Sequence, residues 1–361
     1  MTVVPKYWIL IVDDNTWPEH KRTGIAAIND PLTKNPKGRQ SKNQRQIAIS
    51  EIIGVRPGDY LFFMMRKSGT HPPQLIGLYQ VVSNPYYDPN PVDQHAQHVN
   101  QYYPFRVAFK QVENLEENPV DIEEVWFLKE TGKLWSLQQT RGDAVGTHAC
   151  MTMSKQEGEL LLKLLRMNNI IPKPPAKITP QIPPNPIPIQ SQISYEPKKK
   201  GVPTKLRYEA AVRSLLIEEL KAGGYKDILG DYDDFIPNLP LGSRKEIDIL
   251  LLKYDNNEIL WYEIIEVKAD DITKISDPKN GDGFIEIFEQ VMEYKRWLTK
   301  TRAEIPLQVH TTIIAHSFSK KVIEKAKEID KYLEYHSERG VRLIEYKFNK
   351  ETKKIDLKQV L

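Results

Sequence analysis

The stretch EIDILLLKYDNNEILWYEIIEVKA, residues 246–269, contains two runs of Ile, Leu and Val around the cluster YDNNE. Asp and Asn at this density predict a tight turn, so the two runs should pair as an antiparallel hairpin. Asp248, Glu266 and Lys268 nevertheless lie within these apolar strands. Burying a charge is costly unless the charge is paired or binds a metal, so this hairpin indicates a site as well as a core.

The alternation of side chains along a strand places Glu266 and Lys268 on one face, with Val267 on the other. Asp248, on the partner strand, can converge with them. Carboxylate oxygens are the ligands that Mg²⁺ prefers, and phosphodiester hydrolysis uses such a cation to polarise the phosphate and activate water. A nearby lysine can orient that water or neutralise charge on the phosphate. The hairpin therefore favours metal-dependent phosphodiester hydrolysis.

A purely structural interpretation of the same charges stays open. Asp248 and Lys268 can form a cross-strand salt bridge, and Glu209 and Arg213 have the i,i+4 spacing of a helical ion pair. Neither pair would require a metal.

Composition narrows the class of protein. The chain has 361 residues, of which 40% are hydrophobic and 27% charged, enough for two ordinary domains. The single cysteine, Cys150, excludes an internal disulfide and a cysteine-rich zinc site, and it predicts a reducing cytoplasm. No run approaches the roughly 18 apolar residues of a membrane span, so we expect no membrane partner. A net charge of +3 is too small to indicate nucleic-acid binding by itself.

Prolines are concentrated between residues 171 and 204. Because proline fixes φ and lacks an N–H donor, this segment should be an extended polyproline linker. It divides the sequence into a first domain, residues 1–170, and a second domain, residues 205–361.

The first domain is predicted to be a small, mostly antiparallel β-barrel, because short strands alternate with Gly, Pro, Asn and Asp. Ser154 and Glu157 form a capping box for a closing helix that ends at Asn168 and Asn169. The predicted strands are YWILIV (7–12), YLFFMM (60–65), QLIGLYQVV (74–82), FRVAFKQV (105–112) and EVWFL (124–128).

The second domain is predicted to be an α/β sandwich with a mixed sheet flanked by helices. The predicted order is a helix over 205–224, the hairpin, a helix over 283–300, a strand over 307–316 and a helix over 319–335.

Asp248 followed by Glu266-Val267-Lys268 resembles the D…(D/E)xK signature of the PD-(D/E)xK nuclease superfamily, over most of residues 205–345. Ile247 stands where many members have proline. The resemblance implies a restriction-endonuclease-like fold, Mg²⁺ held by Glu209, Asp248 and Glu266, with Mn²⁺ as a substitute, and Lys268 placing the nucleophile. It also implies a catalytic role for the Gln-x-x-x-Tyr motif of RecB-like members, here Gln290 and Tyr294.

The segments YWILIVDDNTW, TGIAAI, ISEIIGVRPGDYLFFMM and LIGLYQVVSNPYYD are similar, in their order, to the EVE domain, a PUA-like barrel related to the YTH readers. The similarity covers most of residues 5–167. It implies that a flipped, often methylated base stacks on aromatic rings in this domain. The candidate residues are Trp17, Phe63 (or its neighbour Phe62), Trp135, and Asp88 (or Asn84) for the base edge.

Together these features predict a modification-dependent DNA endonuclease that acts as a homodimer on double-stranded DNA carrying a modified base. Two alternatives remain. One is a structure-specific repair or recombination nuclease, and the other is a reader of modified nucleic acid whose second domain is inactive.

Overall fold

The computed structural model describes residues 5–33, 39–66, 72–90, 103–137, 149–171, 173–198, 202–241, 246–256, 258–281, 283–335 and 340–361. The chain divides into two compact units, Met1–Ile193 and Ser194–Leu361. The division falls inside the segment predicted to be a linker. Within the described ranges, no helix has both the length and the apolar character needed to cross a bilayer.

The first unit contains nine strands and four α-helices among its described residues. The strands are β1 (Tyr7–Val12), β2 (Ile25–Ile28), β3 (Tyr60–Met65), β4 (Gln74–Val81), β5 (Tyr86–Tyr87), β6 (Phe105–Gln111), β7 (Val120–Asp121), β8 (Cys150–Met153) and β9 (Ile187–Pro188). The helices are α1 (Trp17–Thr23), α2 (Arg39–Ile52), α3 (Ile122–Glu130) and α4 (Lys155–Asn168).

All nine strands join one mixed sheet with the order β8-β1-β3-β4-β6-β5-β9, while β2 pairs with β6 and β7 with β4. Strands β1 and β3 are parallel, and the other pairs are antiparallel. The path of pairings over the described strands is open, which corresponds to a curled half-barrel of the PUA type. The predicted strands over 7–12, 60–65, 74–82 and 105–112 are confirmed.

The fifth predicted strand, EVWFL, is wrong, because residues 122–130 form helix α3. Asp121 caps this helix by accepting a hydrogen bond from the Glu123 N–H, and acidic residues follow in the first turn. Capping and the favourable helix dipole therefore override the strand preference of Val, Trp and Phe. The predicted capping box of Ser154 and Glu157 at the start of α4 is confirmed.

The proline-rich segment does not act as a free spacer over its whole predicted range. Residues 173–193 belong to the first unit, where β9 pairs with β5 and the Gln181 N–H donates to the Thr23 carbonyl. Ile189 is fully buried. Gly24 ends α1 with φ +64°, and a side chain there would lie 2.8 Å from Cγ2 of Ile178. Ile189 and Ile193 of this segment thus gain apolar burial that an isolated linker would not provide.

The second unit contains four helices and eight strands among its described residues. The helices are α5 (Glu209–Lys221), α6 (Lys226–Leu229), α7 (Phe284–Thr301) and α8 (Lys320–Tyr335). The strands are β10 (Asp234–Pro240), β11 (Glu246–Asp255), β12 (Glu258–Val267), β13 (Asp271–Ile272), β14 (Val309–Ala315), β15 (Ser317–Phe318), β16 (Val341–Asn349) and β17 (Lys354–Gln359).

Six of these strands form a mixed sheet in the order β10-β11-β12-β14-β16-β17, and β13 pairs with β15. The neighbours β12, β14 and β16 run parallel, whereas the outer pairs are antiparallel. Helix α5 packs against β12 and β17, α7 against β12 and β14, and α8 against β16. The predicted mixed sheet with helices, and the hairpin at its centre, are confirmed.

Candidate functional site

The site in the second unit lies where the hairpin strands β11 and β12 meet helices α5 and α7. Asp248 comes from β11 and Glu266 from the end of β12, and Lys268 follows directly. The Lys268 N–H donates to the Ile314 carbonyl at 2.8 Å, which ties this end of the hairpin to β14. Residues far apart in sequence are therefore brought together by strand pairing.

Both carboxylate oxygens of Asp248 accept hydrogen bonds. The Arg213 guanidinium donates to Oδ1 at 2.7 Å, and the Val267 N–H donates to Oδ2 at 2.8 Å. Arg213 lies four residues after Glu209 on α5, and it is 8% exposed. Besides the i,i+4 spacing to Glu209 considered from the sequence, Arg213 therefore makes a long-range ion pair with Asp248.

Glu266 is buried and has two neighbours on one oxygen. Lys268 Nζ lies 2.8 Å from Oε1, and Gln290 Nε2 donates to the same atom at 3.0 Å. Oε2 is buried and accepts no hydrogen bond within the described part of the chain. A buried carboxylate oxygen without a donor is costly, so this atom marks a place where a ligand would be stabilising.

Gln290 and Tyr294 lie on one face of α7 and meet this glutamate. Gln290 Nε2 is 2.5 Å from Tyr294 Oη as well as 3.0 Å from Glu266. The motif predicted from the sequence therefore supports Glu266 directly and orients it.

Glu209 begins α5 and is exposed at the edge of the site. Partial removal of water from its carboxylate raises its pKa, with Lys268 opposing and Asp248 adding to the rise. These couplings place Glu209 near the same lysine and aspartate as Glu266.

Glu266 and Lys268 also shift each other's pKa. Burial raises the pKa of Glu266, the Asp248 carboxylate raises it further, and Lys268 opposes both. Burial alone would lower the pKa of Lys268, but Glu266, Glu209 and Asp248 together raise it well above its usual range. The lysine is therefore a cation among three carboxylates.

The donor set fits a hard divalent cation in its chemistry. Carboxylate oxygens from Glu209, Asp248 and Glu266 are the ligand type that Mg²⁺ and Mn²⁺ take, and one buried oxygen is without a donor. Among the residues whose placement is described, however, no three His, Cys, Asp or Glu side chains stand in the arrangement of a formed metal site. Arg213 contacts Asp248 and Lys268 contacts Glu266, each at a carboxylate oxygen that a metal could also use.

An aromatic cluster forms the second site, in the first unit. Trp17 opens α1, and its ring centroid lies 4.6 Å from that of Phe63 and 5.8 Å from that of Tyr79. Phe63, Tyr79 and Phe109 are fully buried and contact one another at 5.1 to 5.2 Å. Trp17 packs on these buried rings and remains partly exposed. The two candidate residues Trp17 and Phe63 therefore lie together, and their role in base binding stays a prediction.

Phe62 points to the opposite face of the sheet, where it stacks with Tyr7 at 5.9 Å in the main core of the unit. His20 lies beside the aromatic cluster, at 6.4 Å from Phe63, and its Nδ1 is 2.6 Å from the Ile25 carbonyl oxygen. Burial lowers the pKa of His20. The neutral ring donates from Nδ1, so it packs as an aromatic rather than as a cation.

Asp88 and Trp135 have structural partners. Asp88 is buried, and its carboxylate accepts from Arg106 and from the Asn90 N–H and side-chain amide. These bonds fix the β5–β6 region and occupy both oxygens, so Asp88 is not placed to read a base edge; Asn84 is exposed. The Trp135 N–H donates to Glu157 at the start of α4.

Three participants were missed in the sequence. Arg213 was taken only as a helical partner of Glu209, and Tyr79 and Phe109 were seen only as strand residues. Each of them reaches its site from a different element. The alternation of side chains along β4 and β6 predicts which face of the sheet Tyr79 and Phe109 occupy, but it does not predict which side chains lie beside them on that face.

Residues 6–164 match the family described as EVE domain. The chain is 28% identical over 138 residues to the UPF0310 protein PH1033 of Pyrococcus horikoshii, a match that covers 36% of this chain and 83% of the relative. Similar solved structures include a hypothetical protein from Leishmania major (14% identity, 45% of this chain, 96% of that chain, TM-score 0.31). They also include human THYN1 in complex with 5-methylcytosine-containing DNA (13%, 44%, 97%, 0.27) and the mmi1 YTH domain-containing protein with RNA (17%, 46%, 84%, 0.27). The family match and the curled sheet together identify the N-terminal region of this chain as an EVE domain.

Proposed function

We propose that this protein is a modification-dependent DNA endonuclease in which the first unit binds a modified base and the second unit hydrolyses phosphodiesters with Mg²⁺. The observation that carries the proposal is the convergence of Asp248, Glu266 and Lys268 with Gln290 in one partly buried site. A structural salt bridge between Asp248 and Lys268 would not need Glu266 at the same place, nor leave Glu266 Oε2 without a donor.

The EVE domain supports the reading half of the proposal. The resemblance to the EVE family implies a flipped base on aromatic rings, and a base removed from its stack recovers roughly 1–3 kcal/mol by stacking on an aromatic ring. Trp17 offers a partly exposed ring that Phe63 and Tyr79 hold from behind. A rigid aromatic surface of this kind binds with little loss of side-chain entropy.

The residues of the second unit would divide the chemistry as follows. Glu209, Asp248 and Glu266 would hold the cation, which when bound polarises the phosphate and lowers the pKa of water. Lys268 keeps its positive charge and would neutralise charge that develops on the phosphate. Gln290, itself held by Tyr294, would keep Glu266 oriented. A homodimer would provide one active site for each strand of the duplex.

A second function has one observation in its favour. Arg213 and the Val267 N–H engage both oxygens of Asp248, as they would in a reader of modified nucleic acid whose second unit only stabilises the chain. A third, structure-specific repair nuclease would use the same active site and ignore methylation.

The test is digestion of paired genomic DNAs that differ only in methylation, with Mg²⁺ and then with EDTA. We expect the wild-type protein to cut only the modified DNA and only with Mg²⁺, and Asp248→Ala to bind it without cutting. Asp255→Ala, at an exposed position on the same strand, is the matched control and should cut normally. Equal cleavage of both DNAs would establish the repair nuclease, and binding without any Mg²⁺-dependent cleavage would establish the inactive reader.

A further inference from the structure

Arg213 is the one strongly placed cation of the second site that the proposed chemistry does not use. It lies on α5 one turn after Glu209, and its side chain is only 10% exposed. Its guanidinium donates to Asp248 Oδ1 at 2.7 Å and lies 3.6 Å from Glu246 Oε1. Arginine keeps its charge under all ordinary conditions, so this contact is a permanent ion pair.

The charges in the site explain why such a cation is needed. Glu209, Asp248 and Glu266 would place three negative charges in a partly buried space, where only Lys268 would balance them. Like charges at this spacing repel strongly in a medium less polar than water. With Arg213 on Asp248 and Lys268 on Glu266, two cations face three carboxylates, and the site can pack without a metal.

The same contact has a cost for metal binding. Asp248 Oδ2 already accepts the Val267 N–H at 2.8 Å, so Oδ1 is the oxygen that a cation would use. Arg213 donates to that oxygen, and two cations cannot share one carboxylate oxygen without repulsion. A metal at Oδ1 would therefore compete with the guanidinium.

Glu246 provides a place for the displaced guanidinium. It lies two residues before Asp248 on β11 and hence on the same face of the strand. Its carboxylate is 3.6 Å from Arg213 Nη1, and its side chain is 32% exposed, so a short rotation of the guanidinium could strengthen this contact. The arginine would keep a partner after leaving Asp248.

We propose that Arg213 is a resident counter-cation that competes with the divalent metal for Asp248 and moves to Glu246 when the metal binds. This inference rests on the proposed function, because it assumes a metal at Asp248. This competition would set the metal concentration at which the site is filled. At lower metal concentrations, Arg213 would remain bound to Asp248. Arg213 is thus a positioning residue that acts through Asp248.

The test is calorimetric titration of Mn²⁺ into the full-length protein without DNA. Arg213→Gln should bind Mn²⁺ about three- to tenfold more tightly than the wild type, because Oδ1 becomes available and one positive charge is lost. Glu246→Gln should bind Mn²⁺ about two- to threefold more weakly, because the displaced guanidinium loses its second partner. Arg213→Lys should stay near the wild type, and Arg296→Gln, at an exposed position on α7, is the matched control.

A second readout separates folding from competition. Thermal unfolding in EDTA should show Arg213→Gln less stable than the wild type, and saturating Mn²⁺ should raise its Tm by more than it raises that of the wild type. An unchanged or raised Kd for folded Arg213→Gln would overturn the competition and would show that Arg213 only holds Asp248 in place.

Failure of the endonuclease proposal and failure of the competition between Arg213 and the metal give different combinations of cleavage and Mn²⁺ binding. If wild type and Arg213→Gln bind Mn²⁺ as expected but neither cuts modified DNA, the competition stands and the endonuclease proposal fails. If the wild type cuts modified DNA while the Kd of Arg213→Gln is unchanged, the competition fails alone. Absence of Mn²⁺ binding by both proteins would overturn both ideas.

Discussion

Two buried glutamates, one taken from each unit, have opposite surroundings. Glu157 in the first unit and Glu266 in the second are both 2% exposed. Glu157 accepts hydrogen bonds from the N–H and hydroxyl of Ser136 and of Ser154, and from the Trp135 N–H. Glu266 accepts from Lys268 and Gln290 on one oxygen only, and its Oε2 has no donor within the described residues.

This contrast separates a carboxylate that stabilises the fold from one that is kept ready for a ligand. Burial of a charge is offset when several donors surround it, as around Glu157. An oxygen without a donor loses the energy of hydration and gains nothing in return. Such losses are often found at functional sites, so the difference supports the proposal that the second unit holds the active site.

The largest effect is expected for Glu266→Gln. The amide cannot donate negative charge to a metal, so cleavage of modified DNA should fall by at least about a hundredfold. Stability should change little, because glutamine has nearly the same shape and burial already favours the neutral form of this group. Initial cleavage rates and urea unfolding of the same preparations measure both quantities. A loss of several kcal/mol in stability would show that Glu266 is structural, like Glu157.

The pH dependence of stability sharpens this prediction. Because burial and Asp248 raise the pKa of Glu266, the folded protein keeps a proton on this group at pH values where the unfolded chain has lost it. Its contribution to stability is therefore greatest below the ordinary pKa of glutamate and is lost as pH rises toward the raised value. Glu266→Gln should remove this decline, measured as Tm from pH 4.5 to 8.5, whereas a wild type without the decline would contradict the shift.

Glu157→Gln should have the larger effect on stability. The amide nitrogen would face donors that now bind a carboxylate oxygen, and the free energy of unfolding of the first unit should fall by about 3 kcal/mol. Below the unfolding transition, Mg²⁺-dependent cleavage should remain. Glu159→Gln, exposed on the same helix, is the control and should change stability by less than about 0.5 kcal/mol. Equal stability of Glu157→Gln and the wild type would remove the contrast between the two glutamates.

The sequence predicted the site of the second unit better than that of the first. Asp248, Glu266 and Lys268 lie on a hairpin whose turn and alternation are local properties, so their convergence follows from the sequence alone. Gln290 and Tyr294 follow from helical spacing in the same way. Local patterns did not predict the ion-pair partner of Asp248, because Arg213 lies 35 residues away in the sequence and reaches Asp248 through packing of α5 on the sheet.

In the first unit, local composition was less informative. EVWFL has a strand-like composition but forms α3, because its capping residue lies outside the apolar run. The prolines predict a spacer, yet Ile189 and Ile193 that follow them are buried in the first unit. Asp88 was expected to read a base, but an arginine on the neighbouring strand occupies it. In each case a long-range contact decides between two locally acceptable outcomes.

Trp17→Ala tests the aromatic site. Loss of one stacking ring should weaken binding of modified duplex DNA by about 1–3 kcal/mol, or roughly five- to 150-fold in Kd. Phe127→Ala is the matched control, because Phe127 is also aromatic and is 62% exposed. Fluorescence anisotropy with catalytically inactive Asp248→Ala protein avoids cleavage during the measurement. Equal weakening by both alanine variants would exclude Trp17 as a specific base contact.

His20 gives the smallest and most local effect. Burial lowers its pKa, so the unfolded chain takes up a proton near pH 6.5 that the folded protein resists. Its contribution to stability is therefore present above about pH 6.5 and is lost as pH falls toward the lowered value, by at most about 1.4 kcal/mol per pH unit. His20→Gln should flatten this part of the stability curve. A protonated, well-folded His20 at pH 5.5, observed by NMR, would contradict this prediction and would mean that the ring has a polar environment. The cluster of buried aromatic side chains beneath Trp17 would then not be apolar at this point.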